Sequence, residues 1–268
     1  MSQMVFPGHR EALIAASVAT LQLYEPDDGY YGCFSGGKDS VVLKAVTELA
    51  EVGVTWHYNV TTIDPPELVY FIREHHPDVK WERPKRNFFT AVVAKGFPTR
   101  VARWCCEEFK ESKSPKGARL LMGIRAAESA RRRNQWQTFT YHRRTKEYAV
   151  LPILHWRDDD VWWFIQEHGL PYCSLYDEGF KRLGCVGCPM ARDGDRDFRR
   201  WPGYAKLWRR AFQRLWERRA GTKQRNGKEW FGSAKFDTWE ELFEWWKSDE
   251  RLPQKSKDEE CDGMKLWT

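Results

Sequence analysis

Apolar and polar positions along this chain follow two rhythms, one of period two and one of period 3.6. From Arg10 to Tyr24 the apolar residues Leu13, Ile14, Val18, Leu21 and Leu23 fall on or near one face, which predicts an amphipathic helix. Glu25-Pro26-Asp27-Asp28-Gly29 breaks it, and an apolar strand follows over Tyr30–Phe34. A helix over Ser40–Glu51, with Gly53 as its C-cap, and a strand over Thr55–Val60 complete a βαβ unit. Such a unit implies a parallel sheet with crossover helices. Further helices are expected over Leu68–His75, Asn87–Lys95 and Val161–His168, the last opened by Asp158-Asp159-Asp160 and closed by Gly169. Strands are expected over Ala118–Met122 and Tyr148–Leu154. Past Pro189 the rhythm changes, and Trp-, Arg- and Glu-rich stretches predict helices over Pro202–Ala220 and Thr238–Lys247. The expected organisation is an α/β unit over residues 1–190 and a basic, Trp-rich helical extension over 191–268.

Between the first strand and its helix lies Ser35-Gly36-Gly37-Lys38-Asp39-Ser40. A strand, a tight turn and a helix N-terminus is the arrangement in which backbone N–H groups hold a phosphate. Gly36 and Gly37 allow close approach of the backbone, Ser35 and Ser40 add hydroxyls, and Lys38 adds positive charge. The string is not a Walker A loop, since G-x-x-x-x-G-K-[ST] is absent. In open α/β sheets ligands sit outside the carboxyl ends of strands. Asp64, after the second strand, and Gly123 and Arg125, after the Ala118–Met122 strand, are therefore expected to face the same crevice.

Composition narrows the setting. The chain has 268 residues and a formal charge of +6. It has no apolar run of the length, about 18 residues, that a membrane span needs, and its first ten residues lack a signal-peptide core; a cytoplasmic protein is expected. Its 15 tryptophans are concentrated beside arginines in the C-terminal third. Interleaved aromatics and arginines suit DNA or RNA, although Trp162, Trp163, Trp208 and Trp216 also fall at the helical spacing of core positions.

Seven cysteines without a secretion signal point to metal or thiol chemistry. Cys105 and Cys106 are adjacent, and Cys185-Val186-Gly187-Cys188 is a C-x-x-C turn that can aim two thiolates at one centre. The adjacent pair favours a [4Fe–4S] cluster over zinc, with free thiols as a third reading. Cys33 reads as a core residue.

Two resemblances follow from these residues. Ser35–Ser40 resembles the PP-loop signature S-G-G-x-D-S of adenine nucleotide α-hydrolases, which cleave ATP between its α and β phosphates. Leu151-Pro152-Ile153-Leu154-His155-Trp156, Leu170-Pro171-Tyr172, Leu175-Tyr176-Asp177-Glu178-Gly179-Phe180 and Leu183-Gly184-Cys185-Val186-Gly187-Cys188-Pro189 resemble the central signature of the phosphoadenosine phosphosulfate (PAPS) reductase family. That resemblance implies a PP-loop α/β sheet, with Cys105, Cys106, Cys185 and Cys188 holding a [4Fe–4S] cluster beside the nucleotide. Sulfonucleotide reductases carry a catalytic cysteine in E-C-G-[IL]-H; here the tail reads Glu260-Cys261-Asp262-Gly263-Met264. Gly123-Ile124-Arg125-Ala126-Ala127-Glu128-Ser129-Ala130-Arg131 is instead similar to a stretch of the sulfur-inserting enzymes of DNA phosphorothioation. The resemblances imply an ATP-pyrophosphatase-type sulfurtransferase that adenylates a substrate, with a cysteine desulfurase and DNA or RNA as partners. Lys38 and Arg125 would stabilise phosphate charge, Asp39 would orient the loop or Mg²⁺, and Asp64 would hold the metal or the ribose. The alternatives are an APS or PAPS reductase using Cys261, and a non-catalytic nucleic-acid module.

Overall fold

The computed structural model describes residues 8–111, 114–143, 145–191, 194–224 and 227–248. Helix α1 (His9–Leu23) leads into strand β1 (Tyr30–Phe34), helix α2 (Lys38–Leu49), strand β2 (Val54–Asn59), helix α3 (Pro66–His75) and strand β3 (Lys80–Glu82). Helices α4 (Phe88–Lys95) and α5 (Trp104–Phe109), strand β4 (Leu120–Met122), helix α6 (Ala130–Gln135), strands β5 (Phe139–His142) and β6 (Glu147–Val150) and helix α7 (Asp158–Glu167) follow. The C-terminal part is helical: α8 (Gly194–Arg200), α9 (Pro202–Arg219), α10 (Phe231–Lys235) and α11 (Trp239–Ser248). None of the described helices is long and apolar enough to cross a membrane.

The strands form a six-stranded sheet in the order β3-β2-β1-β4-β6-β5, with only β5 antiparallel. The order reverses direction between β1 and β4, so the crevice outside their carboxyl ends is the switch point where ligands bind. Side chains of β1 alternate faces. Tyr30 and Phe34 join the core beneath α2, α3 and α7, whereas Tyr31 joins Leu120, Ala149, Leu151 and Leu154 on the opposite face. Gly32 is required by packing, since a Cβ there would meet the Trp56 ring at 2.4 Å.

Several boundaries differ from the sequence expectation for identifiable reasons. Helix α2 ends at Leu49, four residues before Gly53, because Glu51 takes the left-handed conformation (φ 55). Gly53 packs instead against Gly29, where a Cβ would lie 2.8 Å from the Gly53 carbonyl oxygen. Strand β6 stops at Val150; the Leu151 N–H still reaches the Thr138 carbonyl, but Pro152 has no N–H to continue the ladder. Helix α4 has a side-chain cap: Asn87 Oδ1 accepts from the Thr90 N–H at 2.8 Å.

The C-terminal helices share a core with the middle of the chain. Ile63, Phe88, Ala91, Val92 and Phe109 pack with Trp208, Ala211, Phe212, Leu215, Trp230, Leu242, Phe243 and Trp246. Helix α9 packs on α4 and gathers α8, α10 and α11 around it. The tryptophan-rich segment thus turns many of its rings inward.

His76 gives one pH-dependent expectation. It is buried against Phe34 and Phe71, its Nδ1 lies 3.5 Å from Lys44 Nζ, and its Nε2 has no partner among the described residues. Burial, and then the Lys44 charge, lower its pKa from 6.5 to about 4. Between those values the unfolded chain binds a proton that the folded chain refuses, so stability falls as pH drops from 6.5 to 4. Urea midpoints at pH 7.5 and 4.5 should therefore differ less for His76→Gln than for the parent chain.

Candidate active site

The β1–α2 loop carries the first half of the site. Gly36 takes φ 72, and a Cβ there would meet Leu68 Cδ1 at 2.6 Å and Ile72 Cδ1 at 2.7 Å. Gly37 is the N-cap of α2 and has no side chain to cap it. Of the first-turn N–H groups, that of Ser40 bonds the Gly37 carbonyl (2.9 Å), and the helix dipole at this end favours negative charge. Within the loop, Ser40 Oγ accepts from the Ser35 N–H (3.2 Å) and donates to the Gly37 carbonyl (2.8 Å), while Ser35 Oγ accepts from the Gly37 N–H (3.3 Å). The Lys38 N–H donates to the Tyr176 hydroxyl at 2.9 Å. Gly36→Ala should cost about 1–3 kcal/mol through the left-handed backbone alone. A lowered thermal midpoint is the expected result.

Lys38 and Arg125 meet here as buried cations. Arg125 Nε lies 2.7 Å from Asp39 Oδ1, its Nη2 is 2.9 Å from Asp158 Oδ1, and its Nη1 donates to the Trp156 carbonyl at 3.4 Å. Lys38 Nζ is 3.1 Å from Asp158 Oδ1 and 3.5 Å from Asp39 Oδ1. Burial raises the Asp158 pKa, but Lys38 and Arg125 outweigh it and hold the carboxyl below its ordinary value. Gly123 permits this convergence, since a Cβ there would sit 3.1 Å from the Asp39 carbonyl oxygen in the first turn of α2. Beyond this quartet, Glu128 pairs with Arg132 and approaches Arg182. Burial first, and then the neighbouring Arg182, Arg125 and Arg103, lower Arg132 to about 10.

The four paired cysteines form a second locus. Cys105 and Cys106 lie in α5, and the Cys185–Cys188 turn is fastened to the β2–α3 loop by a bond from the Val186 N–H to the Ile63 carbonyl (2.8 Å). Gly187 takes φ 71, with Phe198 and Trp208 Nε1 so close that a Cβ would clash at 2.7 Å. The Trp208 indole N–H donates to the Val186 carbonyl at 3.1 Å. All four thiols are free. A hydrogen bond from Cys105, helped by Arg103 Nη2 at 3.4 Å, lowers the Cys106 thiol to about 5; the same hydrogen bond, with burial, raises Cys105. Cys185 foremost, followed among the thiols by Cys106 and Cys188, raises the pKa of Lys110.

Among the described residues, no three His, Cys, Asp or Glu side chains are arranged to hold a single metal ion. A single zinc needs its sulfurs within about 2.3 Å, whereas a four-iron cluster is ligated by four separate thiolates. The four free thiols supply sulfur donors, the ligand type that both zinc and iron–sulfur clusters take.

The sequence-expected residues are thus placed as follows. Ser35, Gly36, Gly37, Lys38, Asp39, Ser40, Gly123 and Arg125 lie together at the switch point. Asp64 is turned elsewhere: its two oxygens accept from the Thr61 N–H (2.8 Å) and Thr61 Oγ1 (2.7 Å), and its carbonyl accepts from the Tyr204 hydroxyl (2.9 Å). It is a near neighbour of Cys185 and Lys110. Cys33 lies in β1, where burial pushes its thiol up to about 12. Cys261 lies outside the described residues. Asp158, Tyr176, Arg132 and Lys110 were not singled out from the sequence. Asp158 reads locally as a helix-opening acid, and only the sheet order brings it to Lys38.

Comparison with known proteins identifies the family. The sequence model of the phosphoadenosine phosphosulfate reductase domain matches residues 30–191. The adenosine 5'-phosphosulfate reductase of Shouchella clausii is 34% identical over 195 residues, covering 66% of this chain and 78% of that one. An uncharacterized protein of Methanocaldococcus jannaschii is 32% identical over 202 residues, covering 69% of this chain and 39% of that one. The chain therefore spans about two fifths of that archaeal relative's length. Among solved structures, the PAPS reductase of Candida auris in a phosphate complex aligns with 69% of this chain and 98% of its own at 16% identity, with a TM-score of 0.49. With more than half of its length matched, from β1 through the C-x-x-C turn, the chain belongs to the phosphoadenosine phosphosulfate reductase family.

Proposed function

We propose that this chain is an ATP-pyrophosphatase-type sulfurtransferase that activates a nucleic-acid phosphate oxygen for replacement by sulfur. The observation that carries the reading is the undegraded Ser35–Ser40 loop with buried Lys38 and Arg125 beside it. Such a loop binds a triphosphate, and paired cations stabilise the charge that develops when it is cleaved. The acceptor oxygen attacks the α-phosphorus of ATP, the α–β bond breaks, and pyrophosphate leaves with the bonding electrons. A desulfurase persulfide is reduced by two equivalents of a thiol to hydrosulfide, leaving the desulfurase thiol and a disulfide. The hydrosulfide then attacks the activated phosphorus of the acceptor, and AMP departs with the original oxygen.

In the first step Lys38 and Arg125 exchange their carboxylate partners for phosphate oxygens. Asp39 makes both of its cation contacts through Oδ1, which leaves Oδ2 as a hard oxygen ligand suited to Mg²⁺. Cys105, Cys106, Cys185 and Cys188 would hold a [4Fe–4S] cluster, which when bound would supply a site for sulfur.

The test is a pyrophosphate-release assay on anaerobically purified protein, with ATP, DNA or RNA, and a desulfurase supplied, alongside its visible absorption. Brown protein that releases pyrophosphate supports the proposal. Colourless, zinc-loaded protein removes the cluster from it, and absence of pyrophosphate with every acceptor overturns the chemistry. The 34% identity to an APS reductase favours a second reading, sulfonucleotide reduction through Cys261. Sulfite release from APS or PAPS that is lost in Cys261→Ser would establish that reading instead. Salt-sensitive nucleic-acid binding without any turnover would indicate a non-catalytic module.

A further inference from the structure

The outer face of α9 carries Lys206, Arg210, Arg214 and Arg218, one cation every fourth residue. All four are exposed, and none forms an ion pair among the described residues. Their neighbours are already partnered: Arg209 pairs with Glu244, Glu217 accepts from Gln213, and Arg219 donates to the Ala94 carbonyl. At a rise of about 1.5 Å per residue the row advances about 6 Å per step and spans about 18 Å. Four unneutralised cations in a line repel one another, and a partner of matching negative charge density removes that cost.

The same helix is fastened to the cysteine locus and the β2–α3 loop beside it, through Trp208 to the Val186 carbonyl and through Tyr204 to the Asp64 carbonyl. At its N-terminal end an open depression of ≈ 470 Å³ is lined by Gly203, Tyr204, Lys206, Leu207 and Arg210. We infer that this row is the docking surface for the phosphate backbone of double-stranded DNA, a deepening that rests on the nucleic-acid acceptor proposed above.

Two observations select the duplex. Single-strand binding uses exposed aromatic platforms, but Trp208 and Phe212 on this helix are fully buried and Trp216 packs against the same core. The ring that lines the depression, Tyr204, is half-buried and tied down through its hydroxyl to the Asp64 carbonyl, so the exposed cations meet phosphates rather than unpaired bases. B-form DNA also offers a major groove wide enough for a helix face along its rim, which A-form RNA does not. A membrane partner needs an apolar face with exposed rings beside the charge, and the rings of α9 point inward.

The experiment is fluorescence anisotropy with a labelled 20-base-pair DNA duplex across a salt series, comparing the parent chain with K206Q/R210Q/R214Q/R218Q. Each phosphate contact contributes about 0.9 to the slope of log K against log salt. The quadruple variant should lose about 3.6 of that slope and bind at least tenfold more weakly at about 0.15 M salt. A K206Q/R210Q double variant should lose about half as much, which guards against a folding defect in the fourfold change. ATP affinity, measured by calorimetry, should stay within twofold. An unchanged slope in both variants overturns the inference, as does preference for single strands, for RNA duplex or for anionic vesicles over DNA duplex. A chain that binds duplex through this row but releases no pyrophosphate would overturn the proposed chemistry and leave this surface standing.

Discussion

Arg125→Ala is expected to lower ATP turnover about 10²–10³-fold, the range found when one preorganised charge-stabilising donor is removed. Arg125 is 3% exposed and is shared by two carboxylates. Its loss leaves Asp39 and Asp158 with Lys38 alone. Removing one member of a buried ion pair typically costs 3–5 kcal/mol; the 60% exposure of the Asp158 side chain lets water take over part of that role, so about 3 kcal/mol is expected. Arg125→Lys restores the charge but not the fork that reaches Asp39, Asp158 and the Trp156 carbonyl together. It should recover most of the stability and little of the turnover. Urea unfolding and pyrophosphate release, measured on the same preparations, separate the two effects; equal recovery of both would contradict a geometric role.

Trp208→Ala should be the most destabilising single change in the C-terminal half, at about 3–5 kcal/mol. The ring is fully buried, lies 4.6 Å from the Trp246 ring and 5.2 Å from the Phe88 ring, and its N–H holds the Val186 carbonyl. The cavity opens directly behind Gly187, so the Cys185–Cys188 turn should loosen before the sheet does. Denaturant titration followed by thiol accessibility of Cys185 and Cys188 checks this. If the thiols stay protected while the helices unfold, the coupling between α9 and the turn is absent.

Much of the framework was legible because local pattern decides it. Tyr30–Phe34 is found where expected, and α1, β2, α3 and α4 lie within two residues of their expected ends. Apolar rhythm, Asn87 as a cap and Pro66 at a helix start act through near neighbours. Strands β3 and β5 escaped notice. The first has only three residues, and the second lies between basic stretches where no alternation stands out. The phosphate loop was legible for the same local reason.

What could not be read locally was partnership. Asp158, 120 residues from Lys38, has the form of an ordinary helix-opening acid until the β1-β4-β6 order places it over α2. Asp64 looked like a crevice residue because it follows a strand end. Its bonds to Thr61 and Tyr204 depend on how that loop closes against α9. The tryptophan-rich tail suggested stacking by composition, yet helical spacing was the better guide for Trp208, because the core beneath α4 and α5 needs large rings to fill it.

That shared core also fixes an order of events during synthesis. Phe88, Ala91, Val92 and Phe109 leave the ribosome long before Trp208, Phe212, Leu242 and Trp246, the residues that cover them. Domains fold as units from the N-terminal end as the chain emerges, and here one unit cannot close until its last helices exist. The Cys105–Cys106 pair therefore waits, in a nascent chain, beside an apolar surface that lacks its lid. The thiol locus is completed only after α9 and α11 have been made, and anything installed there is installed after them.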